Sequence, residues 1–159
     1  MLTYATPTNT LITLASLAST SARESSAVDN TSTRYDDVIF QLWFQTTMGT
    51  LTADKAVYVY FYGANSAGNF PSMPVVTGTD AAITIAVGSS YNIGQPLVIS
   101  IVNTQTTMRS EPTSVGQFFG GVLPNYWGFI VHNMSTGVAL HPTEGNHGHT
   151  YTGIFYVGT

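Results

Sequence analysis

The stretch Ala56 to Tyr62 sorts its side chains with a period of two. Val57, Val59 and Phe61 fall on one face, and Tyr58, Tyr60 and Tyr62 on the other. A helix, at 3.6 residues per turn, would scatter both sets. A strand must form here, and the rest of the chain must cover its aliphatic face. Val38 to Thr46 alternates in the same way, with Phe40, Leu42 and Phe44 opposite Gln41, Trp43 and Gln45. Further strands are predicted at Ala82 to Val87, Pro96 to Thr104, Tyr126 to Asn133 and Thr150 to Val157, and an early one at Asn9 to Leu14.

Turn chemistry separates these runs. Gly63 to Gly68 follows the tyrosine strand, and Asn133-Met-Ser-Thr-Gly137 reads as a short loop with Gly in a left-handed position. Prolines 71, 74, 112, 124 and 142 lie between runs, where a missing N–H does not interrupt a ladder. Gly116 to Gly121 lacks the Lys-Ser/Thr ending of a phosphate loop and reads as a bend. Seven or eight strands with negligible helix predict an all-β chain: one antiparallel β-sandwich of jelly-roll type spanning residues 1–159. Its core is expected to contain Phe40, Leu42, Phe44, Val57, Val59, Phe61, Ile99, Ile101 and Ile130. The polar, Ser/Thr-rich segment 16–37 reads as a long loop, or as an arm that orders against a partner.

Charge narrows the partners. Only 8% of the 159 residues are charged, and the net charge is −4. Such a chain has weak self-repulsion, which suits a surface that ends in an assembly, and equally suits a secreted or extracellular domain with Ser/Thr-rich strands. Nucleic acid is not an expected partner, because displacing counterions from phosphate needs several clustered cations. The scarcity of Lys and Arg also argues against a basic membrane-surface helix. The apolar stretch Leu11 to Leu17 is interrupted by Thr and Ser and has no basic residue before it, so neither a signal peptide nor a transmembrane helix is expected. The chain has no Cys, which removes thiol nucleophiles, disulfides and Cys-based zinc sites.

Few motifs carry chemistry. His141, Glu144, His147 and His149 could supply imidazole and carboxylate ligands to a metal, but the spacing matches no established zinc motif, and a polar loop is the preferred reading. Asp36 and Asp37 are adjacent, so on a strand they point to opposite faces and cannot share a substrate. No Gly-x-Ser-x-Gly elbow is present. The expectation is a protein that is not an enzyme, binds no cofactor, and acts by contact. Tyr58, Tyr60 and Tyr62 are the candidate interface, since tyrosine buries much area while keeping a polar handle; the equal alternative is a central strand covered on both faces, with the hydroxyls reaching the sheet edge.

Three segments resemble jelly-roll structural proteins of tailed-bacteriophage virions. Ser19 to Val38 is similar to an opening of the form Ser-Ala-Arg-x-Ser…Asp-Asn…Tyr-x-Asp. Tyr60 to Phe70 resembles a Tyr-x-Tyr-Gly hairpin, and Phe118 to Asn133 resembles a Gly-Gly-x-Leu-Pro-x-x-Trp-Gly strand. The resemblance implies a non-enzymatic virion protein, most like a capsid decoration (cement) protein. Such a protein is made in the host cytoplasm and sits on the outer surface of the capsid. Its partners would be the major capsid protein and itself, as a dimer or trimer, with Arg23 and Arg34 pairing to carboxylates on the shell. The alternative is a carbohydrate-binding or adaptor domain of a phage tail or fibre protein.

Overall fold

The structure is a computed structural model and describes residues 1–52, 55–71, 73, 75–85 and 94–157. Twelve strands form among the described residues, in chain order. They are β1 (Leu2–Tyr4), β2 (Thr8–Asn9), β3 (Ser21–Glu24), β4 (Val28–Asp29), β5 (Asp37–Phe44) and β6 (Ala56–Ala64), followed by β7 (Ala81–Ile83), β8 (Leu97–Ser100), β9 (Met108–Arg109), β10 (Thr113–Ser114), β11 (Tyr126–Asn133) and β12 (Gly148–Tyr156). Two short 3-10 turns, Gly116–Phe119 and Glu144–Asn146, are the only helical pieces among the described residues. The first sheet runs β1-β12-β5-β10, with β2 on β12 and β9 on β5. The second runs β7-β3-β11-β6-β8, with β4 on β11. Every pairing is antiparallel. The fold is the predicted antiparallel β-sandwich.

The core lies between the sheets, where the alternation placed it. Phe40, Leu42 and Phe44 of β5 meet Val57, Val59 and Phe61 of β6, with Trp127, Phe129 and Val131 of β11 beside them. The Phe40 ring stands perpendicular to Phe61, with centroids 5.2 Å apart, and lies 4.7 Å from Phe129. Edge-to-face contact suits the ring quadrupoles. Ile99 and Ile101 join this core. Ile130 is also buried, but on the opposite face of β11, in a second cluster with Tyr62, Phe70, Met73 and Val76.

Several boundaries differ from the sequence reading. In the early run only Thr8–Asn9 pairs as a strand, yet Ile12 and Leu14 still reach the core from irregular backbone. The run at 96–104 pairs only over Leu97–Ser100, and Val102 is exposed. Of the run at 82–87, pairing begins at Ala81 and ends at Ile83, and Ala86 and Val87 lie outside the described residues, as does Pro74. Gly137 takes the left-handed conformation expected of it, with φ at +81°.

The largest correction concerns the polar segment at 16–37. It is not a free arm. β3 sits between β11 and β7 inside the second sheet, and β4 also pairs with β11. Three of its polar side chains, Glu24, Ser25 and Asn30, are buried, and each finds a partner. Ser25 is fully buried, and its Oγ accepts from the Phe129 N–H at 3.0 Å. Glu24 is fully buried, and its carboxylate accepts from the N–H and Oγ1 of Thr77 and from the Gly78 N–H, over 2.9–3.2 Å. These bonds pin the 75–80 stretch against the second sheet. They replace the water that a buried carboxylate would lose.

Candidate functional site

The outward face of the second sheet is set by register. One row across it reads Val98, Tyr58, His132, Ala22 and Ile83, each paired with the next. The row beside it holds Tyr60, Ile130, Glu24 and Ala81, and the one after begins Tyr62 and Gly128. The predicted tyrosine stripe is therefore real as a face, but the fold divides it.

Tyr62 is not available to a partner. It is fully buried, its ring stands perpendicular to Phe70 at 4.8 Å, and its hydroxyl donates to the Ser25 carbonyl at 2.6 Å. Burial pushes its phenol well above the ordinary range, against the pull of the Ser25 bond. The ring lies across Gly128, where a Cβ would stand 2.3 Å from the Tyr62 hydroxyl oxygen. Phe70, Met73 and Val76 close over this end of the stripe.

Tyr58 and Tyr60 remain half-buried at the open end. Tyr60, Thr20, Ile85, His132 and Met134 line a groove of about 400 Å³. It adjoins a depression of about 290 Å³ over Ser21, Ala22 and residues 82–84. The Tyr60 and His132 rings lie 6.5 Å apart. Thr20 holds a left-handed conformation at the rim, with φ at +71°, and its N–H donates to the Asn133 carbonyl at 2.6 Å. A β-branched residue rarely takes that conformation, so the turn into β3 is firmly held by its surroundings. Among the described residues no Asp, Glu, Lys or Arg lines either hollow.

The two candidate arginines have different situations. Arg23 is already used: its Nε donates to Asp80 Oδ1 at 2.5 Å. Asp80 also accepts from the N–H and Oγ1 of Thr13. Partial burial raises the Asp80 carboxyl, but the bonds from Arg23 and Thr13 outweigh it and hold the group below its ordinary value. Arg23 therefore tethers the 11–17 stretch to the second sheet and is not free to reach a shell. Arg34 is exposed, has no ion-pair partner among the described residues, and borders a cleft of about 330 Å³ with Tyr35, Asp36, Val122 and Asn125.

The histidine-rich turn is spent on backbone. Glu144 Oε2 accepts from the N–H groups of Leu14 and Ala15 at 2.8 and 2.7 Å. His147 Nε2 bonds the His141 carbonyl at 2.9 Å, which places its proton on Nε2, since a carbonyl only accepts. His141 Nδ1 accepts from the Thr143 N–H, and His149 Nδ1 bonds Thr10 Oγ1. Burial, the largest influence on each, pushes His147 and His149 below the ordinary imidazole value. Among the described residues no group of three His, Asp or Glu side chains converges on a point that could hold a metal. The four candidate ligands act instead as a clamp between the 10–15 stretch and the start of β12. Asp37 is likewise structural: Oδ1 accepts from Val38 and Gly116 N–H groups, and Oδ2 from Ser114 Oγ.

Trp43, on the outward face of the first sheet, offers no open ring. Arg109 lies 5.5 Å from its centroid on β9, and the indole packs against Gly148, where a Cβ would fall 1.8 Å from it. No helix among the described residues is long and apolar enough to cross a membrane. Family models, curated proteins and solved structures gave no match to this chain.

Proposed function

We propose that this chain is a non-enzymatic structural protein of a tailed-phage particle, a capsid decoration protein that binds the major capsid protein lattice from outside and stabilises it. The observation that carries the reading is the uncharged groove of Tyr60, His132, Ile85, Met134 and Thr20, on a face whose strands are fixed by long ladders. Its mixture of aromatic, thioether and hydroxyl groups suits contact with another protein, where charged residues are depleted at the centre and Tyr and Met are enriched. The strand order also supports a jelly-roll assignment. With β2, β4, β7 and β9 set aside, the remaining eight strands in chain order run first-eighth-third-sixth in one sheet and second-seventh-fourth-fifth in the other. The virion resemblance of the segments at 19–38, 60–70 and 118–133 gives the class of partner.

The experiment is co-sedimentation of the purified chain with expanded, decoration-free shells. Wild type should pellet with shells, and Tyr60→Ala, which empties the groove without touching the inter-sheet core, should weaken that binding at least tenfold. Equal binding by both proteins would remove the groove from the interface.

The second reading is a carbohydrate-binding domain of a tail or fibre protein. Two half-buried tyrosines beside Thr20 and His132 favour it, since aromatic faces stack on sugar rings. Reproducible binding to one glycan on an array, lost in Tyr60→Ala, would favour this reading over the first.

A further inference from the structure

Beside the starts of β5 and β11, the cleft of about 330 Å³ at Arg34, Tyr35, Asp36, Val122, Leu123 and Asn125 is held in place from several sides. The buried Asn30 side chain takes the Tyr35 N–H on Oδ1 at 2.9 Å and donates from Nδ2 to the Tyr35 carbonyl at 3.1 Å, so one amide clasps both backbone groups of that residue. Asn30 is tied in turn to the other wall, its N–H donating to the Asn125 carbonyl at 2.7 Å. The Tyr35 ring lies flat on Gly153. A Cβ there would stand 2.3, 2.3 and 2.5 Å from three successive ring atoms, which only a point above the ring face can do. Tyr151 and Phe155 flank the ring, with centroids 6.5 and 6.2 Å away. One face of Tyr35 is therefore spent on β12, and the ring meets the cleft with what remains.

The polar groups around that ring are committed on one side and open on the other. Asp36 is pinned to β12 twice: its N–H donates to the Ile154 carbonyl at 2.8 Å, and its Oδ2 accepts from the Tyr156 N–H at 2.9 Å. Its Oδ1 has no partner among the described residues. Asn125 donates from Nδ2 to the Asn65 carbonyl at 3.2 Å and keeps Oδ1 open. Arg34 is exposed and pairs with no carboxylate among the described residues, although Asp36 borders the same cleft. Opposite charges that share a cleft without pairing keep their donors and acceptors for a third group.

We infer that this cleft is a binding site for a neutral saccharide, seated on Tyr35 and Val122 and held by Arg34, Asp36 and Asn125. The lining selects that chemistry. A sugar hydroxyl both donates and accepts, so a single ring can use the guanidinium donors, the free carboxylate oxygen and the amide oxygen together. An anion would meet Asp36 and a cation would meet Arg34, so a ligand without net charge is favoured. Val122 is 72% exposed beside the aromatic ring, and this apolar wall suits the C–H face of a sugar. The volume lies at the lower end of the range for small-ligand sites. Tyr35, Asp36 and Asn125 are fixed before any ligand arrives, which lowers the ordering cost of binding. The cleft shares no lining residue with the groove of Tyr60, so the inference does not depend on what the groove binds.

The test is an NMR titration of the full chain with D-glucose, D-galactose and N-acetylglucosamine, each to about 50 mM, a range that covers the weak affinity of a one-ring ligand in a shallow site. An array of neutral and sialylated glycans follows. At least one of the three sugars should shift the amides of Tyr35, Asp36 and residues 121–125, and neutral glycans should be bound in preference to sialylated ones. Arg34→Ala should weaken the binding about tenfold, the worth of a charge-assisted hydrogen bond. Val122→Ser should weaken it about fivefold by removing apolar contact. Both positions are exposed and outside every strand, so both variants should keep the wild-type far-ultraviolet spectrum and melting temperature. Tyr60→Ala should leave sugar binding unchanged. No shift at the cleft with no neutral glycan bound would overturn the inference. A preference for sialylated glycans would do the same, as would binding that the folded Arg34→Ala and Val122→Ser proteins keep or that Tyr60→Ala abolishes. Shell binding measured on the same proteins reports on the groove separately.

Discussion

Gly128→Ala is the substitution whose cost follows most directly from the packing of the second sheet. The added Cβ would stand 2.3 Å from the Tyr62 hydroxyl oxygen, 2.4 Å from its Cζ and 2.9 Å from Ser25 Oγ. None of these can retreat freely. Tyr62 and Ser25 are fully buried, and the Tyr62 hydroxyl is held by the Ser25 carbonyl while Ser25 Oγ holds the Phe129 N–H. Overpacking a closed site costs about 1–3 kcal/mol, and displacing the ring also gives up a buried hydrogen bond worth about 1 kcal/mol. The expected loss is thus about 2–4 kcal/mol, a large share of the stability of an ordinary domain. Urea unfolding followed by tryptophan fluorescence measures it, with an unchanged m-value showing that two-state behaviour survives. Tyr62→Leu provides the control. Alone it should cost about 2–3 kcal/mol, but it removes the far end of the ring, so adding Gly128→Ala to it should cost less than about 0.5 kcal/mol. A loss under about 1 kcal/mol for Gly128→Ala alone, or the same loss in both backgrounds, would refute the argument that Gly128 exists to seat Tyr62.

Other consequences can be checked on the same protein. Phe61→Ala removes a ring that packs on Phe40, Phe118 and Phe129 and should cost about 3–5 kcal/mol by urea unfolding. The histidine clamp should make stability depend on pH. His147 and His149 are held below the ordinary value of 6.5, so the unfolded chain takes up their protons first. Their contribution is complete above pH about 6.5 and is lost as pH falls through that value toward the depressed ones. Melting temperature should fall between pH 7 and pH 5, and less steeply in His147→Gln, whereas a flat or rising profile would contradict the buried, neutral imidazoles. Glu144→Gln keeps one acceptor for the Leu14 and Ala15 N–H groups but weakens both bonds, and should cost about 1–2 kcal/mol.

The legible part of this fold was its inter-sheet core. The alternation in β5 and β6 sorted Phe40, Leu42, Phe44, Val57, Val59 and Phe61 inward without error, because a one-sided strand writes its burial into the local sequence. β3 was not legible, because Ser-Ala-Arg-Glu carries no apolar alternation. Its buried Glu24 is tolerated only because Thr77 and Gly78, over fifty residues away, supply donors. The tyrosine stripe shows the same limit. Tyr58, Tyr60 and Tyr62 share a face as the pattern requires, but which of them stays open depends on Phe70, Met73 and Val76 closing over one end. His132 and Thr20 joined the groove through long-range register, which no local window contains. Arg23 was read as an outward-facing contact because its internal partner, Asp80, lies elsewhere in the chain, and the bonds that tie the histidine turn to Thr10, Leu14 and Ala15 are equally absent from any local window.

The proposal of a decoration protein meets its most direct test in a reconstruction of expanded shells to which the purified chain has been added back. Density for this β-sandwich is expected on the outer surface where capsomers meet, with the groove of Tyr60 and His132 turned toward the major capsid protein. Those shells should withstand more heat than undecorated ones, since a ligand that binds only the assembled lattice stabilises it. Bare shells of equal robustness, with the labelled chain found on tails or fibres, would contradict it.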